Sequence, residues 1–208
     1  MKKTLIILSL MLIGVIILGM PSIQDVVWKL REFTNPKLHE ETLNSFKSKP
    51  NQYLLKKLNS KNYVFVGMAG GILLDRNACE AVPFLIKLLN SNNDQIKTSA
   101  FVVLGEFKDN RAIEPLLSFV NKGRNNPNFL NAIDALSIMH YEQIYPEILQ
   151  MTNDNYHGSW AVDMLERYPE NPQTLPALQK IADTDPEQYI REKAKEAIEK
   201  IKLSNQKK

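Results

Sequence analysis

A single cysteine, Cys79, stands in 208 residues. One cysteine forms no intramolecular disulfide and builds no cysteine-based metal cluster. With no histidine near it, Cys79 is expected to pack as a small apolar side chain between helices rather than act as a nucleophile. Net charge is also scarce. The chain carries +3, and +1 once the first 22 residues with Lys2 and Lys3 are set aside. That balance excludes a basic nucleic-acid face and gives no reason to expect a strongly acidic partner. The catalytic signatures are missing too: G-x-S-x-G, H-E-x-x-H, a P-loop, a glycine-rich phosphate cradle. Gly70 and Gly71 lie inside an apolar helical run and are read as sites of close helix contact. Glu40 and Glu41 sit in a polar helix with nothing to shift their titration. His140 and His157 are 17 residues apart on different predicted helices, which does not make a metal pair. The chain is therefore expected to be no enzyme and to hold no cofactor or metal.

What the chain does contain is 44% hydrophobic and 24% charged residues, the composition of a folded protein. At the start, Lys2 and Lys3 precede an uncharged run, Thr4 to Met20, which as a helix would span about 25 Å. A basic head and an apolar core suit either a signal peptide or a signal anchor over residues 1–22. The small-x-small cleavage pattern is poor, because Ile17 and Met20 occupy the −3 positions, so the uncleaved anchor is favoured. No cysteine follows the run, which excludes a lipoprotein-type anchor. Positive residues ahead of the run predict that the rest faces away from the cytoplasm. The expected location is a bacterial inner membrane with a single pass and the C-terminal domain outside. The alternative is a secreted or periplasmic protein. Residues 23–48 read as a juxtamembrane stalk and N-terminal cap, broken at Asn35-Pro36.

Internal periodicity is the strongest signal. Prolines at predicted helix starts recur at Pro50, Pro83, Pro115, Pro146 and Pro176, at intervals of 33, 32, 31 and 30. Each opens an apolar helix. A second helix follows, centred on a small residue: Ala69, Ala100, Ala132, Ala161 and Ala194. Polar turns such as Asn90–Asp94 and Asn121–Asn128 separate the two. In the clearest unit, Asp94 to Val120, residues Ile96, Ala100, Val103, Leu104 and Phe107 share one helical face. Gly105 is expected near the helix end, where the lack of a Cβ eases the exit. The repeats fill residues 49–203, and a polar tail occupies 204–208. Residues 187–208 interleave Glu187, Glu192, Glu196 and Glu199 with Lys and Arg, a solvated helix face rather than a binding patch.

The residues Asp94, Ile96, Lys97, Ala100, Val103, Leu104, Gly105, Phe107, Asp109, Arg111, Ala112, Ile113, Pro115, Leu116 and Leu117 follow D-x-V-R-x-x-A-x-x-A-L-G-x-[IL]-x-D-x-R-A-[IV]-x-P-L-L, with Ile96, Lys97, Val103 and Phe107 in the V, R, A and [IL] places. This stretch resembles a HEAT-like repeat of the short bacterial type, also found in phycobilin lyases. Asp185, Pro186, Ile190, Arg191, Ala194, Ala197 and Ile198 match it again, while the repeats at Ala132 and Ala161 are degenerate. The resemblance implies an all-α fold, a right-handed α-α superhelix, here preceded by an N-terminal hydrophobic helix. It implies a non-catalytic protein–protein interaction scaffold or adaptor, or alternatively a phycobilin-lyase-like enzyme or chaperone.

In such a stack each helical pair packs only on its neighbours. Positions one after each small centre, namely Phe101, Ile133, Val162 and Lys195, are expected to lean toward the inner face. A second candidate surface is the aromatic cluster of Tyr141, Tyr145, Tyr156, Trp160 and Tyr168, beside His140 and His157. The candidate partner-binding residues are therefore Lys97, Phe101, Ile133, Tyr141, Tyr145, His157 and Trp160. The expected partner is a protein of unknown identity, without nucleic acid, plus the membrane through residues 4–20 if they are retained.

Overall fold

The computed structural model describes residues 36–153 and 157–206, with side chains from Glu40 onward. The apolar run at residues 4–20, Trp28 and Tyr156 lie outside them. Among the described residues every regular element is helical, and no helix is long and apolar enough to cross a membrane. The chain forms two compact units, divided between Ile72 and Leu73.

The first unit holds α1 (Pro36–Lys47), α2 (Asn51–Leu58) and most of α3 (Tyr63–Asp75). Pro50 takes the N-cap position of α2, where a missing N–H costs nothing. Phe46, Tyr53 and Phe65, one from each helix, meet ring to ring at 5.4 and 5.9 Å. The Lys57 ammonium lies over both the Tyr53 and Phe65 rings, at 5.2 and 5.4 Å. Ala69 is fully buried in α3. Gly71, by contrast, would meet nothing within 4 Å if it carried a Cβ. It is not a site of close helix contact as expected, because it points away from the packed side.

The second unit is a run of four helical pairs: α4 (Val82–Leu88) with α5 (Asp94–Phe107), α6 (Ile113–Val120) with α7 (Phe129–Ile138), α8 (Tyr145–Met151) with α9 (Gly158–Leu165), and α10 (Thr174–Thr184) with α11 (Gln188–Asn205). Pro83, Pro115, Pro146 and Pro176 all fall in the first turn of the first helices. The second helices form one layer, α5 on α7, α7 on α9 and α9 on α11, and each first helix packs behind its own partner. Ala100, Ala132, Ala161 and Ala194 lie fully buried in that layer. Their short side chains let neighbouring helices come close, and the strip they line is continuous with Leu104, Leu136, Met164 and Ile198.

Three exits from the second helices follow one local rule, and the exit from α9 does not. Asn77, Lys108 and His140 take left-handed backbone at φ 53°, 52° and 55°. Two residues after each, a 3-10 turn begins, at Cys79–Ala81, Asn110–Ala112 and Glu142–Ile144, and leads into the next first helix. Gly105 therefore does not end α5. It lies two residues before the last residue of the helix, and a Cβ there would sit 3.0 Å from the Cα and 3.1 Å from the carbonyl oxygen of Ala135 in α7. Glycine is needed for helix–helix approach, and Lys108 bears the strain of the exit. A side chain in left-handed backbone costs about 1 kcal/mol that glycine avoids. Lys108 is exposed, so Lys108→Gly sacrifices little packing. We expect a gain of about 0.5–1 kcal/mol, read as a higher urea midpoint with an unchanged slope.

Cys79 is exposed rather than packed between helices. It opens a 3-10 turn outside the helical layers, where no apolar neighbour surrounds it. Its carbonyl accepts from Arg111 Nη2 at 2.9 Å, while Arg111 also grips both carboxylate oxygens of Asp109, at 2.8 and 2.6 Å. Asp109 in turn accepts from the Arg111 backbone N–H. The Asp-x-Arg of the repeat thus shapes its own turn and ties it to the preceding one. The Arg111 guanidinium holds the Asp109 carboxyl below the ordinary carboxylate range.

Candidate functional site

The face of the second-helix layer turned away from the first helices is lined by three offsets from the alanine centres. One residue before each centre stand Ser99, Asn131, Trp160 and Lys193. Two residues after stand Val102, Asp134, Asp163 and Glu196. Six after stand Glu106, Ile138, Arg167 and Lys200. None of these twelve is buried. Trp160 at 48% and Val102 at 46% exposure are the two large apolar side chains on this face that stand out from it. The indole of Trp160 stands in water although Phe101 and Phe129 of the same helix layer are buried.

Charged pairs cross this face from helix to helix. Arg167 Nη1 donates to Asp134 at 2.7 Å and to the Ser137 hydroxyl. Lys193 reaches Asp163 at 2.7 Å and both the carbonyl and hydroxyl of Ser159 at 3.1 Å. Lys200 approaches Glu166 at 3.2 Å. These half-exposed pairs fix the side chains flanking Trp160 more than they stabilise the fold.

The expected inner positions one after each centre fall elsewhere. Phe101, Ile133 and Val162 are buried, and Lys195 is exposed. Phe101 turns back between the layers and meets Phe119 of α6 edge to face at 5.1 Å. The reason is the 100° step of the helix: when the centre faces a neighbouring second helix, the next residue swings toward the first helices and the preceding one swings toward water. Phe101 and Ile133 are core rather than exposed inner-face positions. Lys97 is half-buried, paired with the exposed Asp94 at 2.8 Å in the first turn of α5.

The aromatic cluster divides in two. Tyr145 and Tyr168 are buried, their rings 5.3 Å apart. Tyr145 therefore does not belong to a binding surface. Its hydroxyl meets Thr174 Oγ1 at 2.9 Å, and that hydroxyl donates to the Tyr168 carbonyl at 2.7 Å. Tyr168 O–H donates to the Tyr141 carbonyl at 3.2 Å. This network fills the irregular pair α8–α9, where large side chains replace the usual small ones. Tyr141 itself is half-buried, as is His157, whose carbonyl accepts the first bond of α9 from Ala161. His140 stands edge-on to Tyr168 at 5.9 Å. Among the described residues no three of His, Cys, Asp and Glu gather as a metal would require.

Burial pushes both tyrosine hydroxyls above their ordinary titration range, and the Glu142 charge adds to it. A raised folded value means the stabilising contribution is full below about pH 10, the unfolded value, and is lost as pH climbs toward the folded one. We expect stability to fall steeply above about pH 10, and Tyr168→Phe to flatten that alkaline limb in urea titrations at stepped pH.

Beneath the inner face, at the C-terminal ends of α7 and α9, opens a cleft of about 380 Å3 lined by His140, Glu142, Arg167, Tyr168 and Glu170 among others. Sequence reasoning noticed His140 and Tyr168 but missed the charged residues. The offsets of Asp134, Asp163 and Arg167 from the alanine centres were a usable signal for the face above.

No family model matches the chain, and no curated protein does either. Among solved structures, a designed armadillo repeat protein is similar, with a TM-score of 0.42 and 15% sequence identity over 80% of this chain and 94% of that one.

Proposed function

We propose that this protein is a non-catalytic interaction scaffold, a HEAT-like right-handed superhelix that binds a protein partner on the open face of its second helices. The observation that carries the reading is Trp160, half in water on a face whose neighbouring side chains are locked by inter-helix ion pairs. An exposed tryptophan set on a rigid helical layer combines apolar bulk with little ordering cost, the combination that dominates binding energy at interfaces. The apolar run behind Lys2 and Lys3 supports membrane anchoring, with the helical array outside the cytoplasm.

Site-specific photo-crosslinking in cells tests this. A photoreactive residue at position 160 should yield a discrete adduct, and one at Ser118, exposed on the first-helix layer, should not. The same adducts at both positions, or none at 160, would overturn the reading. In the same cells the full-length chain should sediment with membranes and resist a carbonate wash.

A further inference from the structure

We infer that the cleft at the ends of α7 and α9 binds a small zwitterion, a free amino acid or a short peptide carrying both an ammonium and a carboxylate. Its volume, about 380 Å3, lies in the range of small-ligand sites. Three features set the chemistry.

The first is Arg167. All its hydrogen bonds within the described residues leave from Nη1, to Asp134 and Ser137. Those bonds hold the guanidinium in place, while Nε and Nη2 meet no acceptor among the described residues. A planar pair of donors fixed in position is suited to a carboxylate. The second feature is Glu142. It lines the same cleft, its charge is felt by both buried tyrosines, and it makes no ion pair among the described residues. Glu142 and Arg167, opposite in sign, do not reach one another across the cleft. The third is the mixed sign of the whole wall. Glu142 repels a simple anion, and Arg167 repels a simple cation. A ligand with both charges meets a partner at each end. The exposed His140 supplies ring surface beside it.

The cleft shares Arg167 with the partner face, whereas Glu142 lies off that face, so loss of binding in Glu142→Gln tests this inference apart from the partner reading. The test is saturation-transfer NMR on the full chain with a pool of the twenty amino acids and glycylglycine, followed by titration of the best binder. At least one compound should bind. N-acetylating its amine or amidating its carboxylate should weaken binding at least about tenfold, the effect of losing one charge-assisted hydrogen bond. Glu142→Gln should weaken the free zwitterion by a similar factor. Arg167→Lys should do the same while keeping a cation for Asp134, and circular dichroism checks that both variants stay folded. Glu142 lies exposed in a 3-10 turn, so its variant remains informative even if the arginine variant unfolds. No transfer from any compound at about 10 mM, unchanged affinity in Glu142→Gln, or inorganic phosphate binding as tightly as the best zwitterion would each overturn the inference.

Discussion

Gly105→Ala will destabilise the protein, although alanine is the better helix former. The substitution gains about 1 kcal/mol of helix propensity. Against that, the new methyl would stand 3.0, 3.1 and 3.3 Å from the Cα, carbonyl oxygen and Cβ of Ala135. Two of those atoms are backbone, and α7 is held by both α5 and α6, so it cannot yield by rotating a side chain. Overpacking of this kind costs about 1–3 kcal/mol and spreads along a close-packed layer. The net loss should be about 1–2 kcal/mol, seen as a lower urea midpoint at constant slope. Gly71→Ala is the control. It has the same propensity gain with nothing within 4 Å of the new methyl, and it should stabilise by up to about 1 kcal/mol. If both variants moved the same way, helix propensity rather than helix approach would govern Gly105.

The contrast between these glycines shows how far the sequence was legible. The proline spacing and the small centres located the helical pairs, because both signals are local: a missing N–H is tolerated at a helix start, and a buried face needs helical spacing. Gly105 was misread because two demands, an exit from the helix and a close approach to another, both select glycine. Only the register of α5 against α7 separates them. The exit is made instead by Lys108, a residue with no conformational signature, and by Asn77 and His140 at the matching places. Cys79 was misplaced for a similar reason: a small apolar residue just before a helix can face inward or open a turn, and the left-handed Asn77 decides which. At the site, the aromatic cluster was legible as a group but not its division. Tyr145 and Tyr168 found hydroxyl partners and became core, while Trp160 did not turn inward. The choice of the residue after each alanine as the inner position erred by the direction of one helical step, and that step separates Phe101 from Trp160.

Phe101 and Trp160 therefore make the sharpest opposed pair. Phe101→Ala removes a fully buried ring from between α5 and α6, where it meets Phe119 edge to face. Truncating a buried phenylalanine costs about 3–5 kcal/mol, from lost transfer energy and the cavity left behind. That is a large share of a single domain's stability, so much of the variant is expected to be recovered unfolded. Ile133→Ala, equally buried in α7, should lose about 2–5 kcal/mol. Trp160→Ala should change stability by no more than about 0.5 kcal/mol, because its side chain stands half in water. Its effect belongs to recognition: the partner adduct formed through neighbouring positions of the face, Asn131 or Asp163, should fall sharply while the urea midpoint holds. Phe101→Ala, at temperatures where it remains folded, should leave that adduct intact. The reverse outcome, with Trp160→Ala unfolding the chain and Phe101→Ala leaving it stable, would mean that the second helices turn the opposite face to solvent. The three rows that define the binding face would then be core.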